Sequence, residues 1–97
     1  MRRLFYSYQA RIDLLEIGSH IEQFNQPRSL TFVTELRAKA SRIAIFPNSY
    51  PSRDDLEPGL RMAIHGRYLI LFRTTDLEVE IARIVHGARD LRTIFEK

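Results

Sequence analysis

Cysteine is absent from these 97 residues. That removes disulfides, thiolate nucleophiles and cysteine-based metal sites from consideration. Glycine and proline are scarce at four each, and nothing in the composition points to disorder or a fibre. Lysine occurs only as Lys39 and Lys97. No apolar run approaches the roughly 18–20 residues of a membrane span. The opening "MRRLFYSYQARID" starts with two arginines, Arg2 and Arg3, but the apolar stretch after them is too short for a secretory signal. No phosphate-binding loop, dinucleotide fingerprint or HExxH motif is present. The expectation is a soluble cytoplasmic protein with no membrane partner, no cofactor and no metal.

The chain is 44% hydrophobic and 28% charged, a globular balance, and its length fits one domain over 1–97. The net charge is +3 and arginine supplies nearly all of the positive charge. Guanidinium groups suit phosphates and carboxylates. The same bias also follows from arginine-rich codon usage, and a charge of this size is a weak argument for nucleic acid.

"RRLFYSY" (Arg2–Tyr8) alternates, with Leu4, Tyr6 and Tyr8 on one side, and predicts a first strand. From Ala10 the period changes. Ala10, Leu14, Ile17, Ile21 and Phe24 form one helical stripe, with Asp13 and Glu16 early enough to complement the helix dipole. "NQPRS" (Asn25–Ser29) breaks the pattern, and Pro27 suits the first turn of a new helix. Val33, Leu36, Ala40 and Ile43 make its stripe, with Leu30 and Phe32 at the margin, and Pro47 ends it. "PNSYPSRDDLEP" (Pro47–Pro58) is the one clear loop.

Three strands follow: Gly59–His65, Tyr68–Arg73 and Leu77–His86. Gly66-Arg67 between the first two predicts a two-residue type II′ hairpin. In the third strand Ile84 and Val85 are consecutive, so both of its faces are apolar there. Asp90–Lys97 predicts a last helical turn or two, N-capped by Asp90. The fold class is α+β: an N-terminal strand, then a helical hairpin packed on a largely antiparallel sheet, in the order β-α-α-β-β-β-short α. The run Leu69, Ile70, Leu71 predicts apolar exposure on the sheet face away from the helices, and hence a partner protein.

The histidines His20, His65 and His86 lack metal-ligand spacing. His20 reads as a flank residue and His65 as an exposed turn neighbour. His86 is a candidate acid or base, or a strand-end histidine bonded to backbone. Arg61, Arg73, Arg83 and Arg89 are spread over three strands and the final turn, and Arg67 reads as an exposed turn residue. Converging, the four would bind phosphate or an acidic segment. Otherwise they pair across strands with Glu78 and Glu80, each pair contributing about 0.2–1 kcal/mol.

"GLRMAIHGRYLILFRTTDLEVEIARIVHGARDL" (Gly59–Leu91) resembles the C-terminal half of ParE-type toxins of the RelE/ParE superfamily. The features that carry it are Gly-Leu-Arg at 59–61, Ile-Leu-Phe-Arg at 70–73 and Arg-Ile-Val-His-Gly-Ala-Arg-Asp at 83–90. "ARIDLLEIGSHI" (Ala10–Ile21) resembles the family's first helix. The resemblance implies the toxin of a bacterial type II toxin–antitoxin pair, such as stabilises plasmids. Its partner would be a small DNA-binding antitoxin whose flexible C-terminal segment wraps it.

The superfamily holds ribosome-dependent mRNA endoribonucleases of RelE type and ParE-type inhibitors of DNA gyrase. RNA cleavage needs 2′-OH activation, phosphate stabilisation and a proton for the leaving group. Here Leu69 occupies the nucleases' third-strand arginine position, and Phe95 matches their C-terminal tyrosine. Arg89 remains, with Arg61 a substitute on the second strand. The resemblance therefore implies a gyrase-directed toxin without its own catalytic site. Its target- or antitoxin-binding residues would be Arg61, Leu69, Arg73, Arg83, His86, Arg89 and Phe95. The alternatives are a ribosome-dependent endoribonuclease using Arg61, Arg83, His86 and Arg89, and an inactive homologue that only binds antitoxin.

Overall fold

A computed structural model describes residues 2–96 of the chain. The elements are β1 (Arg3–Tyr6), α1 (Tyr8–Glu22), α2 (Gln26–Ile45), a 3-10 turn (Pro47–Ser49), β2 (Arg61–His65), β3 (Tyr68–Thr74), β4 (Glu78–His86) and α3 (Leu91–Phe95). This is the α+β order that the sequence predicts. Lys97, placed by the sequence in the last helix, lies outside the described residues. No described helix is long and apolar enough to cross a membrane.

β1 is shorter than its alternation predicts, because Ser7 caps α1. Its hydroxyl accepts the Ala10 N–H at 3.0 Å and donates to the Ala82 carbonyl at 2.7 Å. Tyr8 therefore opens the helix and is exposed, rather than lining a strand face. Asn25 caps α2 by accepting the Arg28 N–H at 3.1 Å, and Pro27 sits in the first turn. The two helices meet where the Ser29 hydroxyl donates to the Gly18 carbonyl at 2.6 Å.

Ala10, Leu14 and Ile17 of α1 and Phe32, Leu36, Ala40 and Ile43 of α2 are buried against the sheet. Ile21 and Val33 pack at the margin of this core. Phe24 lies beyond the end of α1 and is exposed, as is Leu30 on the outer side of the hairpin.

The sheet order is β1-β4-β3-β2. β2–β3 and β3–β4 are antiparallel, as their tight turns require, but β1 runs parallel to β4, so the sheet is mixed. The helical hairpin returns the chain to the far edge, and β1 then meets β4 from across the sheet, free of any tight turn. His65 faces Tyr68 across the two-residue turn; Gly66 has φ +59° and Arg67 has a negative φ, which is the type II′ combination. Between β3 and β4 the register steps from Leu71↔Arg83 to Phe72↔Ile81, leaving Ala82 as a bulge.

The sheet face away from the helices corrects one expectation. Leu71, Ala82 and Val85 are buried there together with Leu60, and Leu56, Met62, Leu69, Leu91, Ile94 and Phe95 pack around them. The loop before β2 and α3 cover this face. Backbone bonds from Arg53 N–H to Leu60 (2.7 Å) and from Met62 N–H to Pro51 (3.0 Å) lay the loop along the β2 edge. The consecutive apolar residues of β3 and β4 thus fill two clusters on opposite faces rather than one cluster and an open patch. On the face away from the helices Ile64 of the edge strand β2 stays exposed; other exposed large apolar side chains lie elsewhere, among them Leu15 and Leu30 on the outer side of the helices.

Candidate partner-binding surface

The arginines singled out by the sequence divide into two groups. Arg61 donates to the Tyr50 carbonyl at 2.6 Å. Arg73 is held between Glu57 and Glu80, its bond to Glu80 being 3.0 Å. Arg83 is bound in a two-pronged contact by Asp13, at 2.9 and 3.0 Å. These three are engaged inside the chain. Arg89 is exposed and makes no side-chain hydrogen bond or ion pair among the described residues.

Asp13 is the residue whose role the sequence reading missed. It does not serve the helix dipole on the surface. It is 4% exposed, and one of its oxygens also accepts the Ile84 N–H at 2.9 Å. β1 stops pairing at Ile81, so the edge of β4 beyond that point has no strand neighbour. Asp13 supplies the missing acceptor, and Arg83 neutralises it. The signal was available: Asp13 lies three residues after Ala10 and four before Ile17, on the buried stripe itself.

Of the three histidines, His65 differs from expectation, while His20 is a flank residue and His86 a strand-end histidine bonded to backbone, as the sequence allows. His20 stays exposed, edge-on to Phe24 with ring centroids 5.4 Å apart. His65, expected exposed, is partly buried under α2. Its ring packs on Phe32, and its Nε2 lies 3.3 Å from Glu35. The Arg28 guanidinium on Glu35, aided by His65, holds that carboxyl below the usual carboxylate range. His86 accepts the Ala88 N–H at its Nδ1 (3.1 Å), which leaves the ring proton of the neutral form on Nε2. Its carbonyl accepts the Arg89 N–H at 3.0 Å.

Strand register brings His65 and His86 to either side of Tyr68, which pairs with both. Tyr68 and His86 meet edge to face at 5.4 Å. The two-residue turn was the signal for the first half of this row; the second half depends on the bulge. No group of three His, Cys, Asp or Glu side chains among the described residues is placed to hold a metal.

Leu69 and Phe95 are half-buried in the cluster away from the helices. Phe95 also borders an open cleft of about 440 Å³ with Asp55, Asp90 and Arg92. Asp90 caps α3 through the Arg92 N–H and the Thr93 hydroxyl, and these bonds hold its carboxyl low, Thr93 most of all. On the outer side of the helices lies a groove of about 370 Å³. Leu14, Leu15, Gly18, Leu30 and Val33 line it, with Arg11 and Arg37 also on its wall.

The family described as "ParE toxin of type II toxin-antitoxin system, parDE" matches residues 4–91, nearly the whole chain. The chain belongs to the ParE toxin family. A solved chain titled "Chromosomal ParDE TA system from P. aeruginosa" superposes with a TM-score of 0.76 at 24% identity, covering 89% of this chain and 96% of that one. That likeness establishes the shared fold. No curated protein matches. This ParE family member therefore carries the fold its sequence predicted, with the mixed sheet seen above.

Proposed function

We propose that this ParE family member is neutralised by a cognate antitoxin and acts on DNA gyrase rather than cutting RNA. The observation that carries the reading is the state of the nuclease positions: Leu69 and Phe95 pack in an apolar cluster. Neither can stabilise a phosphorane or donate a proton. Arg61, Arg73 and Arg83 are committed to internal partners. His86 and Arg89 are left as the polar members of a docking surface.

The groove between α1 and α2 supports an antitoxin partner. Its exposed Leu15 and Leu30 suit the apolar stripe of an amphipathic segment, and Arg11 and Arg37 suit acids on its flank.

The test is induction of the chain alone and together with the small protein encoded beside it, reading DNA synthesis and transcript integrity. Arrested DNA synthesis with intact transcripts, relieved by the partner, is the expected result. Transcripts cut within translated frames would move the activity to the ribosome. Equal growth in both cases would leave an inactive homologue.

A further inference from the structure

Two turns meet at the end of the sheet where β2 hands over to β3 and β4 to α3. The Gly87 N–H donates to the Arg67 carbonyl at 2.8 Å, so the Gly66-Arg67 turn and the turn after β4 are stitched together. The stitch is close: a Cβ on Gly87 would lie 3.3 Å from that carbonyl oxygen. His86 packs against the Tyr68 ring, with its Nδ1 occupied by Ala88 and its Nε2 left as a donor with no partner among the described residues. Arg67 and Arg89 are both exposed, and neither makes a side-chain hydrogen bond or ion pair among the described residues.

The acid that follows Arg89 and the acid bound to His65 are both engaged elsewhere. Asp90 is turned into α3 as its cap, and Glu35 is bound to Arg28 and His65. Two exposed guanidiniums and an imidazole N–H, without partners among the described residues, are thus carried on two turns bonded to each other.

We propose that Arg67, His86 and Arg89 form a phosphate-binding corner through which the chain holds the backbone of a nucleic acid. The surface is open, with Arg67, Gly87, Ala88 and Arg89 all exposed. A peptide partner draws its specificity from pockets for alternate side chains, whereas a phosphate backbone requires only donors and positive charge. Arginine is the residue best shaped for that contact. Binding of this kind is indifferent to base sequence and is governed by counterion release. The inference goes beyond the gyrase reading and does not rest on it, since the isolated chain binds nucleic acid or does not, whatever its cellular target.

The test is fluorescence anisotropy of the purified full chain with a labelled DNA duplex, over about 50–200 mM salt. Expected is binding whose log affinity falls linearly with log salt. Arg67→Ala and Arg89→Ala should each reduce that slope by about one unit. The double variant should bind about tenfold or more weakly at the lowest salt, the usual scale for a lost charged hydrogen bond, with its melting temperature unchanged. Arg42→Ala is the control, an exposed arginine on α2 with no side-chain partner among the described residues. If it weakens binding as much as Arg67→Ala, net charge alone is responsible and the corner is not a site. No binding at the lowest salt also overturns the proposal. So does capture of a hexaglutamate peptide in place of DNA with the same arginine dependence, which would make the corner a seat for an acidic protein segment.

Discussion

On one face of the sheet, helices of 15 and 20 residues lie over Ile70, Phe72, Val79, Ile81 and Ile84. On the other face, a proline-bearing loop, which contributes the buried Leu60, and a helix of five residues lie over Leu71, Ala82 and Val85. The first cover is periodic and long, and contributes fully buried side chains of its own, such as Leu36, Ala40 and Ile43. The second is irregular. Apart from Leu60, the side chains it packs on this cluster are only partly buried, and it is held by scattered bonds, among them Met62 N–H to Pro51, Arg61 to Tyr50 and Arg73 to Glu57. The helix face therefore carries most of the buried packing, while the loop face closes an apolar surface with an irregular cover.

A large effect is expected where α1 reaches past its own face to the open edge of β4. Asp13→Ala removes the carboxylate from Arg83 and the acceptor from the Ile84 N–H. Breaking a buried pair from one side costs about 3–5 kcal/mol. Arg83 keeps some contact with solvent, so the lower end applies, and urea denaturation should show a loss of about 3 kcal/mol. Asp13→Asn retains an oxygen for the Ile84 N–H and should lose less. A loss under about 1 kcal/mol for Asp13→Ala would mean that the β4 edge is held by something else.

The comparison itself is sharpened by one truncation on each face. Leu36 is fully buried beneath the helices, and Leu36→Ala should cost about 2–5 kcal/mol. Phe95 is half-buried in the loop-face cluster. Phe95→Ala should cost about 1 kcal/mol, roughly half the value of a fully buried side chain. Equal losses in chemical denaturation would break the distinction between a core and a cover.

The same distinction decides what could be read from the sequence. The α1 stripe from Ala10 to Ile21, the α2 stripe, the Pro27 start, the type II′ turn and the Asp90 cap rest on local chemistry and stand in the structure, except that Phe24 falls beyond α1 and Phe32 and Val33 exchange core and margin. The parallel pairing of β1 with β4 does not follow from local chemistry, since no turn joins them. Nor does the covering of the second face, because a loop has no period to count; the run Leu69-Ile70-Leu71 could only be read as an exposed surface. The arginines show the limit most clearly. Arg83 and Arg89 look alike in the sequence, yet a buried acid 70 residues away from Arg83 engages it and leaves Arg89 free.

The smallest effect concerns the loop cover and its response to acid. Asp54 is exposed, and its carboxyl accepts the Gly59 N–H at 2.9 Å just before the buried Leu60. That bond, followed by one from Ser52, holds its pKa below the usual carboxylate value. A carboxyl lowered in the folded state adds stability that is complete above its unfolded pKa of about 3.9. The contribution is lost as pH falls through the lower folded value. The melting temperature of the natural chain should therefore fall more steeply below about pH 4 than that of Asp54→Asn. The asparagine keeps an oxygen for Gly59 but has no charge to lose. Above that pH the two curves should run parallel. Hydrogen exchange should place the acid-induced opening in the loop before β2, with α1 and α2 protected throughout. If the helices open together with the loop, the two faces unfold as one unit and the cover is part of the core.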